Sequence, residues 1–160
     1  MKFVVVDIQG YFIPEFYPKE LALFDGKTIK NYAFKSKKPL HALSEDCKNQ
    51  VRYLYGNHHG IHYSYGDTEH DEIYSILCTY LRDVDVIYVK GEVKRSFLIK
   101  TYSDMRHIAP CIVNLEHVNG DIPNLKKCST LCIHHSLEIC VCSTNNACLI
   151  YEYIRGLLPQ

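Results

Sequence analysis

Between Cys128 and Cys142 the chain places four of its eight cysteines and two of its nine histidines within fifteen residues, Cys128-Ser129-Thr130-Leu131-Cys132-Ile133-His134-His135-Ser136-Leu137-Glu138-Ile139-Cys140-Val141-Cys142. Thiolate and imidazole are ligands that zinc and similar metals prefer. Cys132 and His135 can chelate one ion from a single turn, and Cys140 or Cys142 can supply a third ligand. A closed structural site takes four protein ligands, so the fourth must come from elsewhere; Glu116 and His117 are candidates. An ion held this way would tie the C-terminal segment to the rest of the fold. The competing expectation is plain burial, because free cysteine is among the most buried residue types. His134 points away from any ion that His135 binds and reads as a surface or supporting group.

A second group of chemistry-bearing residues is His58, His59 and His62 beside Tyr63 and Tyr65. Histidines that titrate near neutrality can move protons in RNA cleavage without a metal, although polar loop residues look the same in sequence. Asp7, at the end of an apolar run, is either an isolated carboxylate of a catalytic centre or a strand-end acid bonded to a neighbouring amide. The thirteen tyrosines offer faces on which unpaired bases can stack. Most of them belong to half-buried elements, where packing alone explains them.

These residues must be positioned by one domain, 1–160, long enough to bury roughly 70% of its unfolded surface in a single core. Lysine plus arginine and aspartate plus glutamate stand at 18 each, which excludes a strong overall positive field and makes any nucleic-acid binding local. The charge is uneven. Residues 67–85 hold Asp67, Glu69, Asp71, Glu72, Asp83 and Asp85 against Arg82, and Lys90, Lys94, Arg95, Lys100 and Arg106 follow. Lys35, Lys37 and Lys38 form another basic cluster. The apolar start Phe3-Val4-Val5-Val6 is cut by Asp7 well short of a secretory core, and no stretch approaches a membrane span. An intracellular protein with reduced thiols is expected.

Phe3 to Ile8 reads as a central buried strand. Lys19–Phe24 and Thr28–Phe34, joined at Asp25-Gly26, continue it as a meander closed by Pro39. A helix is predicted from Leu40 to Tyr55, capped by Ser44 with Glu45 and Asp46 in its first turn, spaced by Leu43, Cys47, Val51 and Leu54 and ended by Gly56. Residues 57–66 read as a loop. A second helix over 71–81 turns Ile73, Ile76, Leu77, Tyr80 and Leu81 to one side; then come a strand over 84–89, a short helix through Val93 and Phe97, a fifth strand over 111–115, and a helix over 145–158. That last helix is predicted to face Leu149, Ile150, Tyr153, Ile154 and Leu157 inward. Together these make an α/β fold with a five-stranded mixed sheet flanked by helices.

This order, with Val4-Val5-Val6-Asp7-Ile8-Gln9-Gly10 on the first strand, resembles the RNase H-like fold in its DEDD-exonuclease form. Such nucleases hold two divalent cations about 4 Å apart on four carboxylates, hard oxygen ligands that suit Mg²⁺. Here Gln9 stands at the family's Glu. Lys94 in Val89-Lys90-Gly91-Glu92-Val93-Lys94-Arg95-Ser96-Phe97-Leu98 stands at its next Asp, and Asn145-Asn146-Ala147 at its last His and Asp. One carboxylate of four remains, and a lysine repels Mg²⁺, so two-metal exonuclease chemistry is not expected. The chain is more similar to a degenerate member of that fold, the Maelstrom domain, whose mark is a Glu-Cys-His-Cys zinc set. Phe16-Tyr17-Pro18-Lys19-Glu20-Leu21 resembles that family's aromatic-aromatic-Pro-x-Glu-aliphatic segment, and Cys132, His135 and Cys142 resemble its later ligands. The resemblance implies Glu20 as the fourth ligand of one structural Zn²⁺. It also implies single-stranded RNA binding with weak metal-independent ribonuclease activity; for these the basic run offers Lys90, Lys94 and Arg95 as contacts, and His58, His59 and Asp7 are the catalytic candidates. The alternative is a catalytically dead protein-interaction module; the opening segment resembles uncharacterised arthropod chains of mobile or viral elements.

Overall fold

Phe3-Val4-Val5-Val6 starts a strand whose side chains are buried on both faces, the pattern of a strand at the centre of a sheet. A computed structural model of the chain describes residues 1–118, 122, 124, 125, 127 and 132–159. In it β1 (Phe3–Phe12) lies between β2 (Phe16–Phe24), which runs antiparallel to it, and β4 (Val86–Val89), which runs parallel. β3 (Ile29–Ala33) closes the antiparallel side and β5 (Cys111–Asn114) the parallel side, giving the order β3-β2-β1-β4-β5. This is an α/β arrangement with a five-stranded mixed sheet flanked by helices.

Alternation along β1 sorts the two layers. Val4, Val6 and Ile8 join Leu21 and Leu23 under Ile76, Leu77, Leu98 and Tyr102 of α2 (Ile73–Tyr80) and α3 (Glu92–Asp104). Val5 and Ala22 meet Ala147, Ile150 and Ile154 of α4 (Ser143–Leu157) on the opposite face. Asp7 and Gln9 share the α4 parity, so their polar groups are turned under that helix. Tyr11, further along, packs with Cys47 and Val51 of α1 (Glu45–Leu54).

Several boundaries depart from the sequence reading. β1 runs past Ile8 to Phe12 and β2 begins at Phe16 instead of Lys19, because the register shifts between Gln9 and Gly10 and the pairing resumes beyond the shift. Lys19 is the extra residue of that bulge, between the pairs Gln9–Glu20 and Gly10–Pro18. Ser44 does cap α1, accepting from the Cys47 N–H at 3.2 Å, while Leu40–Ala42 forms a separate 3-10 turn. The chain does not stop being helical at Gly56. It widens into a π turn over Tyr55–His59 and ends at Gly60, which takes the left-handed conformation (φ 62°) that terminates helices. The second helix divides into a 3-10 turn at His70–Glu72 and α2, with Tyr80 turned outward beneath the Lys30 ammonium, 5.2 Å from its ring centre. In α4, Ile150 and Ile154 face in as expected, but Leu149 and Leu157 are 49% and 62% exposed: the buried stripe is narrow and both fall outside it. Among the described residues no helix is long and apolar enough to cross a membrane.

Candidate metal centre and neighbouring sites

Glu20 is fully buried on β2, where an uncompensated carboxylate would be costly. Its two oxygens divide the compensation. Oε1 accepts the Ser143 backbone N–H at 2.6 Å and so caps the first turn of α4, a favourable place for a negative charge. Oε2 faces His135 Nε2 at 3.1 Å and Cys132 Sγ at 2.9 Å. Cys142, the residue preceding α4, completes a group in which one ligand atom from each of Glu20, Cys132, His135 and Cys142 lies within 4.8 Å of every other. A tetrahedral ion bound at 2.0–2.3 Å requires ligand atoms roughly 3.3–3.8 Å apart, so the group needs little contraction to close on one.

The second layer orients these ligands. His135 Nδ1 donates to the His59 carbonyl, which fixes the ring so that Nε2 faces Glu20 and the thiols. Asn31 Nδ2 on β3 reaches Glu20 Oε2 at 3.3 Å and Thr144 Oγ1 at 2.7 Å, tying strand, ligand and helix together. The electrostatics show a site that demands positive charge. Burial opposes the Glu20 carboxylate, but bonds from His135, Cys132 and the Ser143 N–H outweigh it and hold the group at about 2. Burial likewise disfavours His135 as a cation, yet Cys142 and Glu20 hold its proton up to about 11. The hydrogen bond from Cys132 draws Cys142 down to about 4, and the same bond pushes Cys132 up. Two anions, Glu20 and Cys142, and two retained protons, on His135 and Cys132, share one buried pocket; a divalent ion there would displace the protons and keep the carboxylate, thiolates and imidazole as ligands.

Cys140 is not in this group. Its sulfur packs where a Cβ on Gly60 would stand, 2.3 Å away, so its place is in the wall of the site. His134 is buried, bonded through Nδ1 to the Tyr65 hydroxyl at 2.8 Å, and supports the loop from below instead of lying at the surface. Glu116 and His117 lie in a 3-10 turn after β5, with His117 4.0 Å from Glu92. Cys128 lies outside the described residues.

Asp7 sits on the same face as Glu20. Lys94, in the first turn of α3, holds its Oδ1 at 2.5 Å, while Gln9 and Asn146 each donate to Oδ2 at 3.0 Å. The carboxylate is buried and fully engaged by three side chains that stand where the resemblance places acids or a histidine. His58 extends the chain, its Nε2 donating to Gln9 Oε1 at 3.0 Å, and burial lowers its affinity for a proton. His59 is fully buried: Nε2 donates to the Gly10 carbonyl at 3.1 Å and Nδ1 accepts from the Ile61 N–H at 3.1 Å. Burial lowers it to about 4, and with both nitrogens bonded to backbone it has none to offer a substrate.

The basic trio is divided in the same way. Lys94 is spent on Asp7, and Arg95 donates to the Ile112 carbonyl and pairs with Glu92 at 3.3 Å. Lys90 follows β4. Other cations stand beside aromatic rings, two of them also in exposed ion pairs, Lys37 with Asp71 at 3.0 Å and Lys100 with Asp104 at 2.9 Å. A cleft of about 410 Å³ opens between the β1–β2 turn, α2 and α3, lined by Phe16, Tyr17, Tyr74 and Phe97 with Lys37, Lys38 and Lys100 among its residues. His70 stacks on Tyr17 at 4.4 Å within it, and both His70 ring nitrogens are buried without a hydrogen-bond partner among the described residues. The cleft draws on four separate segments, so only Phe16-Tyr17 and the Lys35–Lys38 cluster signalled it in sequence.

No family model, curated protein sequence or solved structure matches the chain.

Proposed function

We propose that this chain is a zinc-stabilised, RNase H-like domain that works by binding single-stranded RNA at a fold whose acidic centre has been replaced by an internal ion pair. The observation that carries the reading is Lys94 on Asp7 at 2.5 Å. A cation-binding carboxylate of a two-metal nuclease must be open to its ions, and here the Lys94 ammonium stands on it instead. The three-stranded meander with two parallel additions, and Asp7 on the central strand, supports the RNase H-like and Maelstrom-like assignment. Glu20, Cys132, His135 and Cys142 hold one Zn²⁺, whose chemistry here is structural: it supplies a charge that fixes four side chains, with every ligand position taken by protein.

Binding falls to the aromatic cleft. Phe16, Tyr17, Tyr74 and Phe97 offer stacking faces, and Lys38 approaches the backbone phosphates together with Lys37, which exchanges its exposed partner Asp71 for one. Metal-independent cleavage at His58 and His59 would require His59 to give up a backbone partner, because both its nitrogens are committed.

The test is fluorescence anisotropy on an unstructured RNA oligomer with zinc-loaded protein, run with Mg²⁺, with EDTA and with neither. Binding indifferent to Mg²⁺, weakened at least tenfold by Phe16→Ala with Tyr74→Ala, and without cleavage products, is expected. Cleavage that requires Mg²⁺ and disappears in Asp7→Asn overturns the reading. Absence of RNA binding under all three conditions leaves a protein-interaction module in its place.

A further inference from the structure

The sheet has a second opening, at the amino ends of β4 and β5, away from Asp7. The end of α2, the end of α3 and the loop that follows α3 enclose a cavity of about 440 Å³, in the size range of small-molecule sites. Leu77, Leu81 and Val84 make its apolar wall. Tyr102 also lines it, is 5% exposed, and carries a buried hydroxyl with no hydrogen-bond partner among the described residues. A buried tyrosine hydroxyl ordinarily finds a partner, so this one is an unused donor beside the cavity.

The rim adds charge and shape. Arg82 and His107 line the same cavity, and no carboxylate among the described residues pairs with the Arg82 guanidinium. The loop over residues 105–110 leaves α3 through a strained turn. Arg106 takes the left-handed conformation (φ 56°) that glycine usually supplies at a helix end, and the His107 N–H bonds back to the Tyr102 carbonyl at 3.1 Å. The turn projects Ile108 almost wholly into solvent, 99% exposed, at the lip. An apolar wall, an unsatisfied hydroxyl at depth and an unpaired guanidinium at the mouth describe a ligand with three matching parts.

We propose that this cavity binds a small amphipathic anion: a flat or branched apolar body with a carboxylate at one end and an oxygen acceptor at the other. The carboxylate pairs with Arg82, the body lies on Leu77, Leu81 and Val84, and the far oxygen accepts from Tyr102. Nothing in this site depends on the zinc ligands or the aromatic cleft.

The probe is 6-hydroxy-2-naphthoate, whose two oxygens stand at opposite ends of a flat apolar body, titrated into zinc-loaded protein and followed by its fluorescence and by amide shifts. Saturable binding is expected, with shifts concentrated in residues 77–84 and 102–110. Arg82→Gln is expected to weaken it about tenfold, the effect of losing one charge-assisted contact. Tyr102→Phe is expected to weaken it severalfold while melting at or above the wild-type temperature, because the variant removes a buried hydroxyl that the free protein does not satisfy. A Tyr102→Phe variant that melts lower shows that the hydroxyl is already partnered and overturns the proposal. So do binding of 2-naphthol as tight as that of the carboxylate, shifts elsewhere in the protein, or no saturation at millimolar probe.

Discussion

Lys94 and Asp7 are a pair whose separation would be costly on one side only. Asp7 is fully buried, whereas the Lys94 side chain keeps 18% of its exposure. Lys94→Met is therefore expected to cost about 3–5 kcal/mol, the range for leaving a buried charge uncompensated. Asp7→Asn should cost less, since an amide can still accept from Asn146 and Gln9, and the double variant should be more stable than the two single losses added together. Urea midpoints around the cycle measure this; strictly additive losses would show that the two groups are not coupled. His59 gives a second prediction at this scale. Its proton affinity falls from 6.5 in the unfolded chain to about 4 in the fold, so its neutral form is native. The stability this contributes is complete above pH 6.5 and is lost as pH falls from 6.5 towards 4, by about 3 kcal/mol in all. Glu20, held at about 2, loses its own contribution below pH 4.5, in a lower window. The wild type should lose more stability between pH 7 and pH 5 than His59→Gln; equal losses in the two proteins would remove His59 as the cause.

The elements follow local rules where those rules act alone. Phe3–Val6 was legible as a central strand because burial on both faces leaves an unbroken apolar run, and Ser44 with Glu45 and Asp46 marked the start of α1. The terminator of that helix was misread because two glycines, Gly56 and Gly60, both offer an end, and tertiary contact chooses between them: Gly60 is pressed against Cys140 and Gly56 meets nothing within 4 Å. Gly60→Ala is then expected to cost at least about 2 kcal/mol, combining left-handed strain with the displaced sulfur, whereas Gly56→Ala should be neutral or stabilise by up to about 1 kcal/mol. Thermal melts of the two variants check this, and equal effects would place the helix end elsewhere. Glu20 illustrates a different limit. A carboxylate beside a strand bulge has no local signature, and its partner Cys132 lies 112 positions away, so only the family resemblance singled it out. The Lys94 bridge, 87 positions from Asp7, could be read from sequence as the loss of an acid but not as an ion pair.

Over the whole molecule, the metal group joins β2, the loop after residue 132 and the start of α4, while the main apolar core lies on the opposite face under α2 and α3. Chelation should therefore act unevenly. With the proposed Zn²⁺ bound, its removal is expected to lower the melting temperature and expose the amides of 132–147 to rapid hydrogen exchange, with the β1 and β4 amides still protected. Uniform loss of protection would mean that the metal supports the whole core. With 18 charges of each sign, the RNA binding proposed above would rest on a few lysines, so the logarithm of the affinity should fall with that of salt at a slope of about −1.4 to −2, as for two or three neutralised phosphates. A slope near zero would remove phosphate contact from the account.

Lys19 and Glu20 stand side by side on β2, both fully buried. The Lys19 ammonium is held by the carbonyls of Phe34, Tyr63 and Tyr65, while Glu20 serves the metal group and α4. Opposite charges at consecutive positions make the strand a two-sided key. Sliding β2 by one residue would carry the ammonium towards Cys132, His135 and Cys142 and set the carboxylate against a ring of carbonyl oxygens, so both locks would reject it at once. Hydrophobic pattern alone tolerates slippage where Leu21, Ala22 and Leu23 are all apolar and would be buried either way. In this protein the pairing of the meander is checked by charge, and the check is complete only after residue 142 has been made.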